Sequence, residues 1–155
     1  SAEQSPYARP GWLLPYPSGR QCPDPDPSAT VREFGDRTDP LGVRAIEALA
    51  YQAAWISQGQ AELAADPVTD LLMIGGPLHR CPQWARIKAT LAGVPTTLVQ
   101  ATEPVATAAA LLALVRSGQG DGGVLPAVSV PPVHHLIETY QRRLDAFITS
   151  ATKGG

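Results

Sequence analysis

The stretch DLLMIGGPLHRCPQWARIKATLAGVPTTLV, residues 70–99, holds the fold-determining pattern. Leu71-Leu72-Met73-Ile74 is a short apolar run between Asp70 and the breakers Gly75-Gly76. At that length and between such neighbours it reads as a buried strand. Pro82 opens a helix with Trp84, Ile87 and Leu91 on one face, and Gly93 ends it. Thr96-Thr97-Leu98-Val99 is a second short strand, rich in β-branched residues. Strand, helix and strand in this order make a βαβ unit, with parallel strands joined by a right-handed crossover.

Upstream, Asp39-Pro40 looks like a helix start, an N-cap acceptor followed by proline at the first helical position. Ile46, Leu49, Ala50, Ala53 and Ile56 recur at helical spacing, so a helix is expected to about Ala65, ended by Asp66-Pro67. Downstream, Pro104 opens an alanine-rich helix to about Arg116, whose small residues would allow close approach to a sheet or a second helix. Residues 118–123 form a glycine-rich loop. Residues 124–130 are extended and stopped by Pro131-Pro132. A last helix over about 133–150 carries Ile137, Tyr140, Leu144, Phe147 and Ile148 on one stripe. Two strands alone make a poor sheet, so further strands must come from the amino-terminal region or from a partner.

Eight of the 16 prolines fall within the first 40 residues. Each fixes φ and removes a donor, so residues 1–39 read as an extended arm with turns, and residues 40–155 as one α/β domain. The arm carries Trp12, Leu13, Leu14, Tyr16 and Phe34, too much apolar surface for a plain disordered tail, and is expected to lie along the lobe.

The 155 residues suit a single domain with a core of its own. Charged residues make up 17% and the net charge is −2, which lacks the basic face that nucleic acid requires. The longest uncharged apolar stretch, 105–115, is too short to span a bilayer, and residues 1–9 hold no signal core. Cys22 and Cys81 make neither a disulfide framework nor a zinc site, and a reducing, cytoplasmic setting is expected.

Gly75-Gly76, after a strand and before a helix, suits close approach of a ligand to backbone amides; a simple turn is the alternative. The glycines and Lys-Ser/Thr pair of the common phosphate loops are absent. His79 with Cys81 is too small a set for a metal and reads as loop surface. Consecutive His134 and His135 point apart on a helix, and the prolines around Asp24 and Asp26 send those carboxylates in different directions. Arg142-Arg143 reads as the polar face of the last helix. With no G-x-S-x-G elbow and no Cys–His pairing that suggests a nucleophile, a hydrolase has little behind it.

Taken in order, these segments resemble the carboxyl-terminal part of the FGGY-family carbohydrate kinases. Leu14-Pro15-Tyr16-Pro17-Ser18-Gly19, followed by Pro23, Asp26-Pro27 and Ala29, is similar to the family stretch LPYLSGERTPHWDPNA. Arg44-Ala45-Ile46-Glu47-Ala48-Leu49-Ala50-Tyr51-Gln52 resembles RAVLEGVAFQ, and residues 84–95 resemble WRQILADVLGRPV. Residues 72–76 resemble the strand ending in the family's GGG, 103–113 resemble EAAALGAALLA, and the last helix resembles the closing Y…FR…Y segment. The likeness runs over about residues 11–147.

The resemblance implies part of a ribonuclease H-like lobe of the actin and sugar-kinase type, a mixed sheet with flanking helices. It implies the ATP side of a two-lobed enzyme, with the alanine-rich helix packed behind the glycine turn. Nucleotide contacts would fall on Gly75, Gly76, Pro77, Arg80 and Cys81. ATP and Mg2+ are implied, with the magnesium ligands, the catalytic base and the sugar or polyol contacts mainly in the other lobe. No catalytic or metal-binding residue is expected in this chain, which should not transfer phosphate alone. Expected partners are the amino-terminal kinase lobe or a second copy. The family's third glycine is Pro77, and two further family glycines are Ala48 and Ala108. These departures keep a second reading open, a non-catalytic kinase-like lobe serving as a binding or regulatory module.

Overall fold

The computed structural model describes residues 7–101 and 103–153. Residues 1–6 of the expected arm, with Pro6, lie outside them. In chain order the elements are β1 (Trp12–Leu14), β2 (Arg32–Phe34), α1 (Leu41–Ala64), β3 (Leu71–Met73), α2 (Gly76–Arg80), α3 (Pro82–Ala92), β4 (Thr96–Val99), α4 (Pro104–Arg116), β5 (Ala127–Ser129) and α5 (Ile137–Thr152). A 3-10 turn at His134–Leu136 leads into α5.

The βαβ unit forms as its residues predict: β3 and β4 are parallel, with Leu71 opposite Thr96 and Met73 opposite Leu98. The third strand of this sheet is β5, antiparallel to β4, giving the order β3-β4-β5 and a mixed sheet. The expectation that extra strands of this sheet come from the amino-terminal region or a partner is therefore corrected. The amino-terminal strands instead pair with each other, antiparallel, with Trp12 opposite Phe34. Pro15, Pro17 and Pro40 lie outside these short strands, so no ladder donor is lost to them.

The main core lies between this hairpin and the helices. Leu13, Leu14, Tyr16, Tyr51, Ile87, Leu91, Tyr140, Leu144 and Phe147 bury together. On α5 the apolar stripe is as expected, with Tyr140, Leu144, Phe147 and Ala151 inward. On α1 the buried face is different. Arg44, Glu47, Ala48, Ala50 and Tyr51 are inside, while Leu49 is exposed. Two charged side chains hold inward positions because each is paired. Arg44 Nη1 is 2.6 Å from Glu33 Oε2. Glu47 Oε1 accepts from the Ala8 amide at 2.7 Å and from the Tyr140 hydroxyl at 2.9 Å.

The start of α1 also differs. Pro40 is the N-cap, with no side-chain cap, and the Asp39 carboxylate turns instead to Arg9 at 3.3 Å. Arg143 is no mere polar face: its guanidinium reaches Glu47 Oε2 at 3.4 Å and the Ala8 carbonyl at 2.9 Å. Asp24 pairs with Arg20 while Asp26 receives the amide and hydroxyl of Ser28, so these carboxylates do not converge.

A second cluster, Met73, Leu78, Ala85, Ala89, Leu98 and Val130, joins the sheet to α3. It covers one face only. Leu72 and Ile74 stay 64% and 56% exposed, so the expected buried strand is half covered. No residue of α4 is buried, and Val105 is 81% exposed, so among the described residues the alanine-rich helix does not pack behind the glycine turn. Mostly apolar, α4 has no layer laid over it among the described residues.

Candidate nucleotide site at the β3–α2 turn

The carboxyl end of a parallel strand followed by a helix start is where open α/β sheets receive ligands. Here β3 ends at Met73 and α2 begins at Gly76, with Gly75 between them at φ 122° and ψ 142°. This conformation is nearly closed to residues with a Cβ, which accounts for glycine at this position. Gly76 is the first residue of α2 and has no positive φ. The two glycines therefore differ: Gly75 makes the turn at a positive φ, and Gly76 begins the helix without one. Among the described residues beyond its two chain neighbours, a Cβ added at Gly75 would come within 4 Å of Pro77 Cδ alone, at 3.8 Å.

Pro77 sits in the first turn of α2, where a missing N–H interrupts no helical bond. The helix is short, closed by the Leu78 amide on the Gly75 carbonyl at 3.2 Å and the Cys81 amide on the Pro77 carbonyl at 3.0 Å. Gly75, Gly76 and Cys81 are half-buried, whereas Pro77 and Arg80 are exposed. All five predicted site residues thus lie on one turn and the one short helix that follows, bounded by the free Cys81 thiol.

His79 was expected on loop surface. It is instead on α2, and its Nε2 lies 2.9 Å from the Val99 carbonyl at the end of β4. That bond fixes α2 across the carboxyl ends of both parallel strands. Nothing in the residue spacing signalled it, because the partner is a backbone carbonyl twenty residues away. Among the described residues no group of three or more His, Cys, Asp or Glu is arranged to hold a metal ion.

A family model matches residues 2–117, that of the FGGY family of carbohydrate kinases, C-terminal domain. The chain belongs to this family. The model covers the hairpin, the βαβ unit and α4, whereas the similarity of α5 to the family's closing segment lies beyond it. No curated protein sequence matches the chain.

Solved structures extend the likeness to this FGGY domain's whole fold. It is similar to a "xyloylose kinase" from Brucella ovis, at TM-score 0.77 and 21% identity, over 92% of this chain and 31% of that one. A gluconate kinase from Lactobacillus acidophilus matches at TM-score 0.73 and 22% identity, over 96% of this chain and 33% of the other. A ligand-bound xylulose kinase from the same organism matches at TM-score 0.72 and 22% identity, with the same coverage. The FGGY domain therefore spans about a third of the length of these kinases. Among its described residues no helix is long and apolar enough to cross a membrane.

Proposed function

We propose that the chain is the nucleotide-side lobe of an ATP-dependent FGGY-type kinase that phosphorylates a hydroxyl of a sugar or polyol, and that it is not catalytic alone. The observation that carries this is the open Gly75 turn at the carboxyl end of β3, with Gly76 beginning α2 beside it. Gly75 leaves room for adenosine against the backbone, Gly76 begins the helix beside it, Arg80 offers a cation at an exposed position, and Pro77 and Cys81 bound the shelf. Magnesium enters only as the ion of bound ATP, its ligands lying in the rest of the enzyme. Residues 1–39 serve as an arm packed on the lobe formed by 40–155, and the free thiols suit a reducing cytoplasm.

The second reading, a kinase-like lobe that binds a partner and not nucleotide, is favoured by Pro77, which offers no N–H where the family has a third glycine. Calorimetric titration with ADP separates the two. Wild type should bind, and Gly76→Val should not, with its circular dichroism unchanged, because Gly76 needs no special backbone conformation. Pro77→Gly should tighten binding several-fold, one donor being worth about 0.5–1.5 kcal/mol. No heat from any of the three proteins at millimolar ADP would replace this reading with the second.

A further inference from the structure

In a parallel ladder the hydrogen bonds recur at every second residue of each strand. The Leu71 amide donates to the Pro95 carbonyl at 2.9 Å, and the register sets Leu71 opposite Thr96 and Met73 opposite Leu98. Continued by the same step, the ladder would bring the Gly75 amide to the Val99 carbonyl. β4 does reach Val99, but β3 stops at Met73, and the chain turns away at Gly75 with φ 122°. The Val99 carbonyl is met instead by His79 Nε2, at 2.9 Å. A carbonyl only accepts, so Nε2 carries the proton and donates it. The imidazole thus fills the rung that β3 leaves vacant, and among the described residues the half-buried Gly75 amide has no acceptor.

We propose that His79 is a positioning residue for the nucleotide: by taking the Val99 carbonyl it keeps the Gly75 amide out of the ladder and leaves it to donate to bound ATP. Without the imidazole, that amide and that carbonyl are each other's nearest ladder partners, and β3 would gain a rung at the ligand's expense. Holding α2 in place does not require the histidine, because Leu78 already anchors that helix in the cluster with Met73, Ala85 and Leu98. The bond therefore has a more specific consequence than packing, the release of one backbone donor at the turn. The inference rests on the Gly75 turn receiving nucleotide, but the state of its amide in the free chain is tested separately.

The test uses the 155-residue chain, ADP as probe and two variants. His79→Phe keeps a ring of similar size and loses the donor, whereas His79→Gln keeps a side-chain N–H at about the reach of Nε2. Circular dichroism should be unchanged in both, and nitrogen-15 spectra of the wild type should show the Nε2-protonated ring. Without ADP, the wild-type Gly75 amide should exchange with deuterium at close to the free rate. In His79→Phe it should slow about tenfold or more as it drops into the ladder, and His79→Gln should restore the wild-type rate. A merely structural loss would speed exchange throughout α2 and would not slow it at one amide. The apolar groove of about 600 Å³ between α1 and β3 has none of Gly75, His79 and Val99 in its walls, so the amides of its α1 side should not change in either variant. Calorimetry should show ADP binding weakened about tenfold in His79→Phe and within about threefold of wild type in His79→Gln. Three results would overturn the proposal: a Gly75 amide already protected in the wild type; exchange there that is unchanged or faster in His79→Phe; or equal ADP affinity in wild type and His79→Phe. A wild type that binds no ADP while its exchange pattern is as expected condemns the nucleotide reading, and the positioning role with it, but leaves the imidazole as the rung of the ladder.

Discussion

Glu47 combines full burial with a carboxylate. Its oxygens are met by the Ala8 amide, the Tyr140 hydroxyl and Arg143, and Ala8 itself is held at φ 53°, between the Glu47 and Arg143 side chains. Burial pushes the Glu47 carboxyl above its ordinary range, against the lowering effect of the Tyr140 hydroxyl and Arg143. Burial and the neighbouring carboxylate in turn raise Tyr140 and Tyr51. A carboxyl whose folded pKa exceeds its unfolded value takes up a proton more readily when folded. Its contribution to stability is fully present below the unfolded value and is lost as pH rises through the folded one. Glu47→Gln removes that slope. Urea unfolding of both proteins from about pH 4 to about pH 8 should show wild type losing ground to the variant as pH rises. Parallel curves would refute the assignment. Glu47 was quoted in the sequence only as part of a family-like segment; its burial was not legible there, because helical periodicity counts apolar side chains and passes over a charge that is buried with its partners.

At the scale of elements, the βαβ unit, α4 and α5 were readable from breakers and period, since proline and glycine punctuate them sharply. The β1–β2 hairpin was not. Its strands are three residues each, separated by a proline-rich loop, and they hold together through Trp12 stacked on Phe34 at 4.2 Å and through the packing of Leu13 and Leu14 beneath. The loop is fixed by Arg20, which bonds the Ala151 carbonyl at 2.8 Å and lies over the rings of Tyr16 and Trp55. Such long-range ties leave no local pattern. The hairpin thus shares the core with α1 and α5, and Phe147 is its hub, with ring centroids 6.2, 6.4 and 5.6 Å from Trp12, Tyr16 and Tyr51. Phe147→Ala should cost about 3–5 kcal/mol in urea unfolding. Val105→Ala on the exposed α4 should stay within about 0.5 kcal/mol. Equal losses would mean that α4 packs on something in the isolated chain.

For the whole molecule, the uncovered surfaces have a common pattern. The edge of β3, the exposed Leu72 and Ile74, and the unburied α4 all belong to the βαβ unit and the helix after it, whereas Leu13 and Leu14 of the hairpin are buried. The chain spans about a third of the length of its structural matches. Phosphoryl transfer needs a positioned nucleotide, a metal and a base together, and the proposed lobe supplies only the first. Coupled assays of the isolated chain with pentoses, hexoses and glycerol should therefore show no sugar-dependent ATP consumption. Turnover that survives repurification would contradict a half-enzyme. The family and the parallel β3–β4 pair were within reach of the residues, whereas the place of β5 in the sheet and the half-covered state of β3 were not, because an apolar run looks the same whether its cover lies in the same chain or elsewhere. The most direct test of the central claim is an amide-resolved NMR titration of the wild-type chain with ADP. The account predicts saturable shifts at Gly75, Gly76, Arg80 and Cys81, with Leu72 and the groove beside α1 unmoved; no shifts at millimolar ADP, or shifts centred on the groove, would contradict it.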